Sequence, residues 1–353
     1  MPGLGPQEVA RHLGLGDAFG PWLKHLQGLG DVPSRPLLEP GEATALLSRL
    51  GLAAADAAEI GAMLPALKQD AALWWLVERC HYDLTRDLGD EDASPFQSPQ
   101  LPEHRGAVGK LFWLYVFLAA IEDVGRWHAS RGIPDDVSWA TLSPLGGHIS
   151  QYRREHGRWG VEAPFFFTLA FRGVLFQVGR LSYIPYRLCT GAAGPLFWYD
   201  QASVEALGPG FRPGDPALSI HVPAEAPLDA VECGASLRRA GEVFASHFLP
   251  STPMVGTCTS WLLDPQLAEY LPAGSNIVRF QRRFQLVPGV RIDNESIVSY
   301  LRGSSGAGPD QPPRETALQR AFASHHAAGK DWHMRTGWLD LRMTLVLRSE
   351  PSP

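Results

Sequence analysis

The chain has 353 residues, 45% hydrophobic and 19% charged, with a formal net charge of -6. That length exceeds one ordinary hydrophobic core, so two domains are expected. The composition suits a soluble globular protein, and the acidic balance argues against a nucleic-acid binder, which needs a basic surface to meet phosphates. Cys80, Cys189, Cys233 and Cys258 lie far apart with no Cys-x-x-Cys pair. Neither a zinc site nor a redox dithiol is expected, nor any metal cofactor. Buried free thiols in a reducing cytosol are the plain reading. The first residues lack the basic start and apolar run of a signal peptide. The longest apolar run, residues 111–121, is too short to span a bilayer. A cytoplasmic protein with no membrane partner is expected.

Residues 1–130 read as helices only. Helical periodicity covers 8–15, 42–50, 56–67 and 70–84, with Gly and Pro between the pieces. Residues 107–128 are apolar nearly all round and predict a central helix. Residues 90–105 form a polar, Pro-containing loop. This half has no cluster of catalytic residue types. Residues 162–178 predict a helix. Residues 179–188 and 196–200 predict two strands rich in aromatics, and Gly191-Ala-Ala-Gly194 would turn one into the other as an antiparallel hairpin.

In residues 218–222, Leu218, Ile220 and Val222 alternate with Ser219 and His221, the period of a half-buried strand. Pro223 and Pro227 end it. Asp229 and Glu232 then cap a helix carrying Cys233, Leu237, Ala240, Phe244 and Phe248 on one face. Residues 254–263 predict a strand, and 264–271 a short helix with Pro265 in its first turn. Residues 275–286 alternate Val278, Phe280, Phe284 and Leu286, broken by Arg282. Strand is the favoured reading, with a helix through Ile277, Phe280 and Phe284 as its competitor. Residues 303–308 are a Gly-rich surface loop, 316–328 a helix and 337–347 a final strand. The fold class is thus α+β: a helical N-terminal domain, 1–160, followed by a mixed β-sheet flanked by helices, 161–348. The boundary moves towards 195 if the first hairpin is counted with the N-terminal part.

The wording of several segments is more specific than their order. Leu218-Ser-Ile-His-Val-Pro223, Ser260-Trp-Leu-Leu-Asp-Pro265 and Leu271-Pro-Ala-Gly-Ser-Asn-Ile-Val-Arg-Phe280 resemble a bacterial acyltransferase family. Its members carry a helical N-terminal domain before a GNAT-like C-terminal domain. The similarity extends through Arg131-Gly-Ile-Pro-Asp-Asp-Val-Ser-Trp139, Phe171-Arg-Gly-Val-Leu-Phe-Gln-Val-Gly-Arg-Leu181 and Trp332-His-Met-Arg-Thr-Gly-Trp-Leu339, and so covers most of the chain. The resemblance implies transfer of an acyl group from a thioester, either acyl-coenzyme A or an acyl carrier protein, to the amine of a small molecule or peptide.

Acyl transfer to an amine needs a donor to polarise the carbonyl, a base for the amine's proton and a hold on the carrier. In the GNAT superfamily, the strand before the central helix commonly bears the acyl group along its exposed backbone, here residues 218–222. His221, near that strand's end, is the candidate base because imidazole titrates near neutrality. A histidine satisfied within a packed sheet is the competing reading. Ser260 is the candidate for positioning the amine or donating to the leaving thiolate. Trp261 reads as core packing, and Cys258 as a small buried residue rather than a nucleophile. The superfamily's glycine-containing phosphate loop belongs between Pro223 and Asp229, where this chain has Ala224-Glu-Ala-Pro-Leu228, with no glycine. The carrier is therefore expected to meet other groups: the amides around Ala230, Arg238 or Arg239, and Ser275 and Asn276. Ser275 and Asn276 are equally natural helix caps. Arg279, Gln281 and Arg283 share a polar face that would meet phosphates or solvent. Two rivals stand beside the acyltransferase: a non-catalytic ligand- or partner-binding protein on the same fold, and a hydrolase using Cys258 or Ser260. No Gly-x-Ser-x-Gly elbow supports the hydrolase.

Overall fold

The computed structural model describes residues 4–36, 38–90, 96–161, 165–188, 204, 211–223, 226–247, 255–294, 297 and 314–341. Contacts divide the chain into two compact units, Met1–Phe176 and Gln177–Pro353. This division falls between the two boundaries that the sequence suggests.

The first unit is helical. Its helices are α1 (Pro6–Leu13), α2 (Gly20–Gly28), α3 (Pro40–Arg49), α4 (Ala54–Gly61), α5 (Leu64–Gln69), α6 (Ala71–Thr85), α7 (Gly106–Lys110), α8 (Phe112–Ser130), α9 (Asp135–Leu142), α10 (Pro144–His156) and α11 (Phe165–Phe171). Asp70 starts α6 by accepting hydrogen bonds from the Ala72 and Leu73 amides, a cap worth about 1 kcal/mol. Every residue from Phe112 to Leu118 is buried. An all-round apolar helix must be enclosed by others, and α8 packs against α6, α7, α9 and α11. Gly146 in α10 lies so close to α3 that an added Cβ would meet the Leu50 carbonyl oxygen at 2.0 Å. Backbone cannot yield cheaply, so Gly146→Ala should destabilise the protein by about 1–3 kcal/mol. A lower urea midpoint at unchanged slope is the expected result, and an unchanged midpoint contradicts it.

The second unit is built on a mixed sheet. Its strands are β1 (Phe176–Val178), β2 (Leu181–Arg187), β3 (Pro216–His221), β4 (Val255–Ser260), β5 (Gln285–Leu286), β6 (Arg291–Ile292) and β7 (His333–Asp340). Their order is β1-β2-β3-β4-β7-β5, and β6 also pairs with β7. The β2–β3 and β4–β7 pairs are antiparallel, and β3–β4 is parallel. The parallel step needs a crossover, which α12 (Ala230–His247) supplies. This helix covers one face of the sheet. Ser236 Oγ lies 2.8 Å from Tyr183 OH and accepts from the Leu181 amide, and Phe244 packs on the Tyr183 ring. On the other face, Tyr186, Leu188, Val204, Ala217, Val255 and Val287 form a core with Phe211 and Trp338. The helices α13 (Asn276–Gln281) and α14 (Ala317–Ala327) complete the unit.

Four readings need correction. Residues 275–281 are not a strand. Ser275 caps α13, which buries Val278 and Phe280 and leaves Arg279 exposed. Only Gln285–Leu286 continue as strand. The helix expected over 162–178 ends at Phe171, because Gly173 takes a left-handed φ of 67° and β1 follows. The strand expected to Leu263 stops at Ser260, whose side chain caps the 3-10 turn Trp261–Leu263. The last strand begins at His333, earlier than 337, and residues beyond Leu341 lie outside the described residues. The second hairpin strand, 196–200, and the loop at 303–308 also lie outside them.

Candidate active site

The site is a parting of two strands. The parallel ladder between β3 and β4 runs Ala217–Val255, Leu218–Gly256, Ser219–Thr257, and stops. Both strands continue. β3 stays paired with β2 as far as His221, opposite Ser182. β4 stays paired with β7 as far as Ser260, opposite Arg335. The facing edges of Ile220–His221 and Cys258–Ser260 therefore share no ladder bonds. Backbone N–H and C=O groups demand partners, so this notch offers an extended ligand a strand edge. It opens at the carboxyl ends of two parallel strands, the usual place for ligands in such sheets.

His221 sits on β3 where the strands part, half-buried, with Nε2 3.2 Å from Ser219 Oγ. Burial pushes its pKa down to about 4. The imidazole is thus neutral at neutral pH, and the same burial weakens it as a base relative to a free histidine. The strand registers put Ser219, His221, Thr257 and Thr259 on one face. On that face Tyr186 OH lies 2.8 Å from Thr257 Oγ1, and Thr259 Oγ1 2.9 Å from Thr336 Oγ1.

Ser260 and Cys258 belong to the opposite face by alternation. Ser260 flanks the same notch, but its Oγ accepts from the Leu262 amide at 3.1 Å, and its side chain is not brought to His221's face. Cys258 is buried and its thiol is pushed up to about 12 by that burial. A group so far from forming a thiolate is no nucleophile at neutral pH, which removes the Cys258 form of the hydrolase reading. The Trp261 ring packs edge-on against Phe322 at 5.4 Å.

The groups expected to meet a carrier sit around the start of α12. Asp229 Oδ1 accepts from the Val231 and Glu232 amides at 2.8 and 3.0 Å, and these bonds hold its carboxyl below the usual range. A helix start binds an anion through open amides. Here the protein's own carboxylate fills them, so the amides around Ala230 do not form an open phosphate cradle. The Ala230 carbonyl accepts from Arg283 Nη2 at 2.6 Å. Arg180 holds the preceding loop, donating to the Pro223 and Pro227 carbonyls at 2.9 and 2.7 Å and also to Ala226. Residues 224 and 225 lie outside the described residues. Arg238 lies over Gly234, four residues back on the same face of the helix. Arg239 is exposed, on another face, with a partner of its own. Ser275 Oγ accepts from the Val278 amide at 3.3 Å, which makes it the cap of α13, and Asn276 is that helix's first residue. Helices α12 and α13 touch.

Ser219, Thr259, Thr336 and Arg180 were not singled out from the sequence. For Ser219 a signal exists: two residues from His221 on a strand means the same face. Arg180 meets carbonyls more than forty positions away, which no local pattern carries. Among the described residues, no group of three His, Cys, Asp or Glu could hold a metal ion, and no helix is long and apolar enough to cross a membrane.

Residues 175–339 match the family model of the GNAT-like C-terminal domain, and residues 41–173 that of the N-acyltransferase N-terminal domain. No functionally curated relative matches. Among solved structures, an acyltransferase in complex with decanoyl-CoA and teicoplanin is 38% identical over 96% of this chain and 100% of its own, with a TM-score of 0.81. An acyltransferase in complex with CoA and 10C-teicoplanin is 37% identical, with the same coverage and TM-score. An acyltransferase mutant in complex with octanoyl-CoA is 36% identical over 96% of this chain and 99% of its own, with a TM-score of 0.80.

Proposed function

The chain belongs to the acyltransferase family that joins an N-acyltransferase N-terminal domain to a GNAT-like C-terminal domain, and from that premise we propose that it transfers a medium-length acyl group from coenzyme A to an amine of a glycopeptide acceptor. The observation that carries this reading is the match along nearly the whole chain to acyltransferases solved with octanoyl-CoA, decanoyl-CoA and teicoplanin. Coenzyme A is preferred over an acyl carrier protein as donor because these relatives hold CoA or an acyl-CoA. The buried free thiols of Cys80, Cys233 and Cys258 support a reducing, cytoplasmic setting for the reaction.

The thioester lies in the notch, its amide-bearing carrier arm along the free edge of β3. A backbone N–H there donates to the carbonyl oxygen and stabilises the negative charge that grows on it. The neutral acceptor amine attacks the carbonyl carbon. His221 takes the amine's proton, the C–S bond breaks, and the proton passes to the departing thiolate. The products are an amide and free coenzyme A, with no covalent enzyme intermediate. Ser260 acts at the rim of the notch, through the turn that it caps, in orienting the acceptor.

Incubation with decanoyl-CoA and teicoplanin should release free thiol and acylated acceptor in equal amounts, followed by thiol titration and mass spectrometry. Thioester binding should also raise the melting temperature, since a ligand at 100 times its Kd adds about 2.7 kcal/mol. Binding without acylation of any amine in a broad panel would move the reading to a non-catalytic binding protein, which the glycine-free segment before Asp229 favours.

A further inference from the structure

The start of α12 is unfit for a phosphate by the usual route, yet the next turn gathers positive charge. Arg238 Nη1 and Arg283 Nη2 each lie 3.7 Å from the position a Cβ on Gly234 would take. Gly234 is half-buried and has no side chain to fill the gap. Two guanidinium groups, one from α12 and one following α13, therefore flank a single bare spot on the helix surface. Arg283 is fixed there by its bond to the Ala230 carbonyl. Arg279 adds to the field: its charge helps to hold the Asp229 carboxyl down, and those of Arg180 and Arg283 bear on the Cys233 thiol.

Like charges gathered this way repel unless an anion joins them. Within this unit, the ion pairs among the described residues are Arg291–Asp293, Lys330–Glu269 and His333–Asp264, and none uses Arg238, Arg279 or Arg283. The acidic groups nearby do not supply the anion. Asp229 binds the helix amides and feels the charge of Arg279, and among the described residues no ion pair joins it to Arg238 or Arg283. Glu232 is exposed and, two positions from Gly234, projects from a different side of the helix.

We infer that Arg238 and Arg283, across Gly234, form the site for a phosphate group of the donor's nucleotide end, in place of a glycine-loop amide cradle. The inference rests on the coenzyme A reading above. Guanidinium groups suit phosphate because their N–H forks match two oxygens at once. Gly234 matters because any longer side chain would occupy the space between the forks.

The test measures binding of coenzyme A, dephospho-coenzyme A and pantetheine by calorimetry to the full chain and two variants. Arg238→Gln removes one cation. Gly234→Glu places an internal carboxylate between the guanidinium groups, at a helix position where losing glycine does not threaten the fold. Both variants should bind coenzyme A roughly ten- to a hundredfold more weakly, the range for a charge-assisted hydrogen bond, and bind pantetheine as the unaltered chain does. If the loss disappears with dephospho-coenzyme A, the site holds the ribose phosphate; if it persists, it holds the pyrophosphate. Equal coenzyme A affinity in all three proteins overturns the inference alone. No coenzyme A binding by the unaltered chain overturns the donor assignment with it.

Discussion

His221→Gln should lower turnover by about 10² to 10⁴, roughly 3 to 5 kcal/mol of barrier, while the protein stays folded. Glutamine keeps a hydrogen-bonding group near Ser219 and loses the one that accepts a proton. The position is half-buried at the end of β3, so stability should change by less than about 1 kcal/mol. Because burial holds the His221 pKa at about 4, the base is already neutral through pH 5 to 8. The rise in rate across that range should then follow deprotonation of the acceptor amine, and no enzyme group with a pKa near 6.5 should appear in kcat/KM. A structural histidine gives the reverse: Tm falls and turnover per folded molecule is kept. Rates on matched folded fractions separate the two.

The second large effect is loss of stability in mild acid. His128 is 1% exposed, with Nδ1 2.7 Å from Ser138 Oγ and Nε2 without a hydrogen-bond partner among the described residues. Burial pushes its pKa down to about 4. His81 is also buried and lowered to about 4, first by desolvation and then by the charge of Arg35, against the opposing pull of Asp123. A folded-state pKa below the unfolded value of about 6.5 means that the unfolded chain binds the proton first. The stability is fully present above pH 6.5 and is lost as pH falls towards 4. Each group contributes up to about 1.4 kcal/mol per pH unit in that window. Urea unfolding at pH 7.5 and pH 5 should differ by several kcal/mol, and His128→Gln should flatten the dependence. Equal stability at the two pH values contradicts the account, since carboxylates have yet to titrate at pH 5.

Much of the fold was legible because local signals agreed with one another. The Asp229 cap, the spacing of Cys233, Leu237, Ala240 and Phe244, and the alternation at 218–222 each had one reading, and β3 and α12 follow them. The segment at 275–286 had two. Val278, Phe280, Phe284 and Leu286 share parity, as a strand requires, yet Ile277, Phe280 and Phe284 also stand at helical spacing. A short apolar run does not settle this by period. Ser275 decided it by capping the helix, and the exposed Arg279 and Arg282 fall on its outer side. The site was legible only in part. His221 stands out by residue type and position. The notch does not, because it depends on where a ladder between residues 38 positions apart stops. The meeting of Arg238 and Arg283 over Gly234 likewise joins two elements that only the fold brings together.

The most direct test of the central claim is a crystal structure of the chain with decanoyl-CoA. It should show the carrier arm between β3 and β4, hydrogen-bonded to the free edge at residues 220–222, with the thioester carbonyl within reach of His221. An acyl-CoA bound away from that notch, with the edges of β3 and β4 bare, would contradict it.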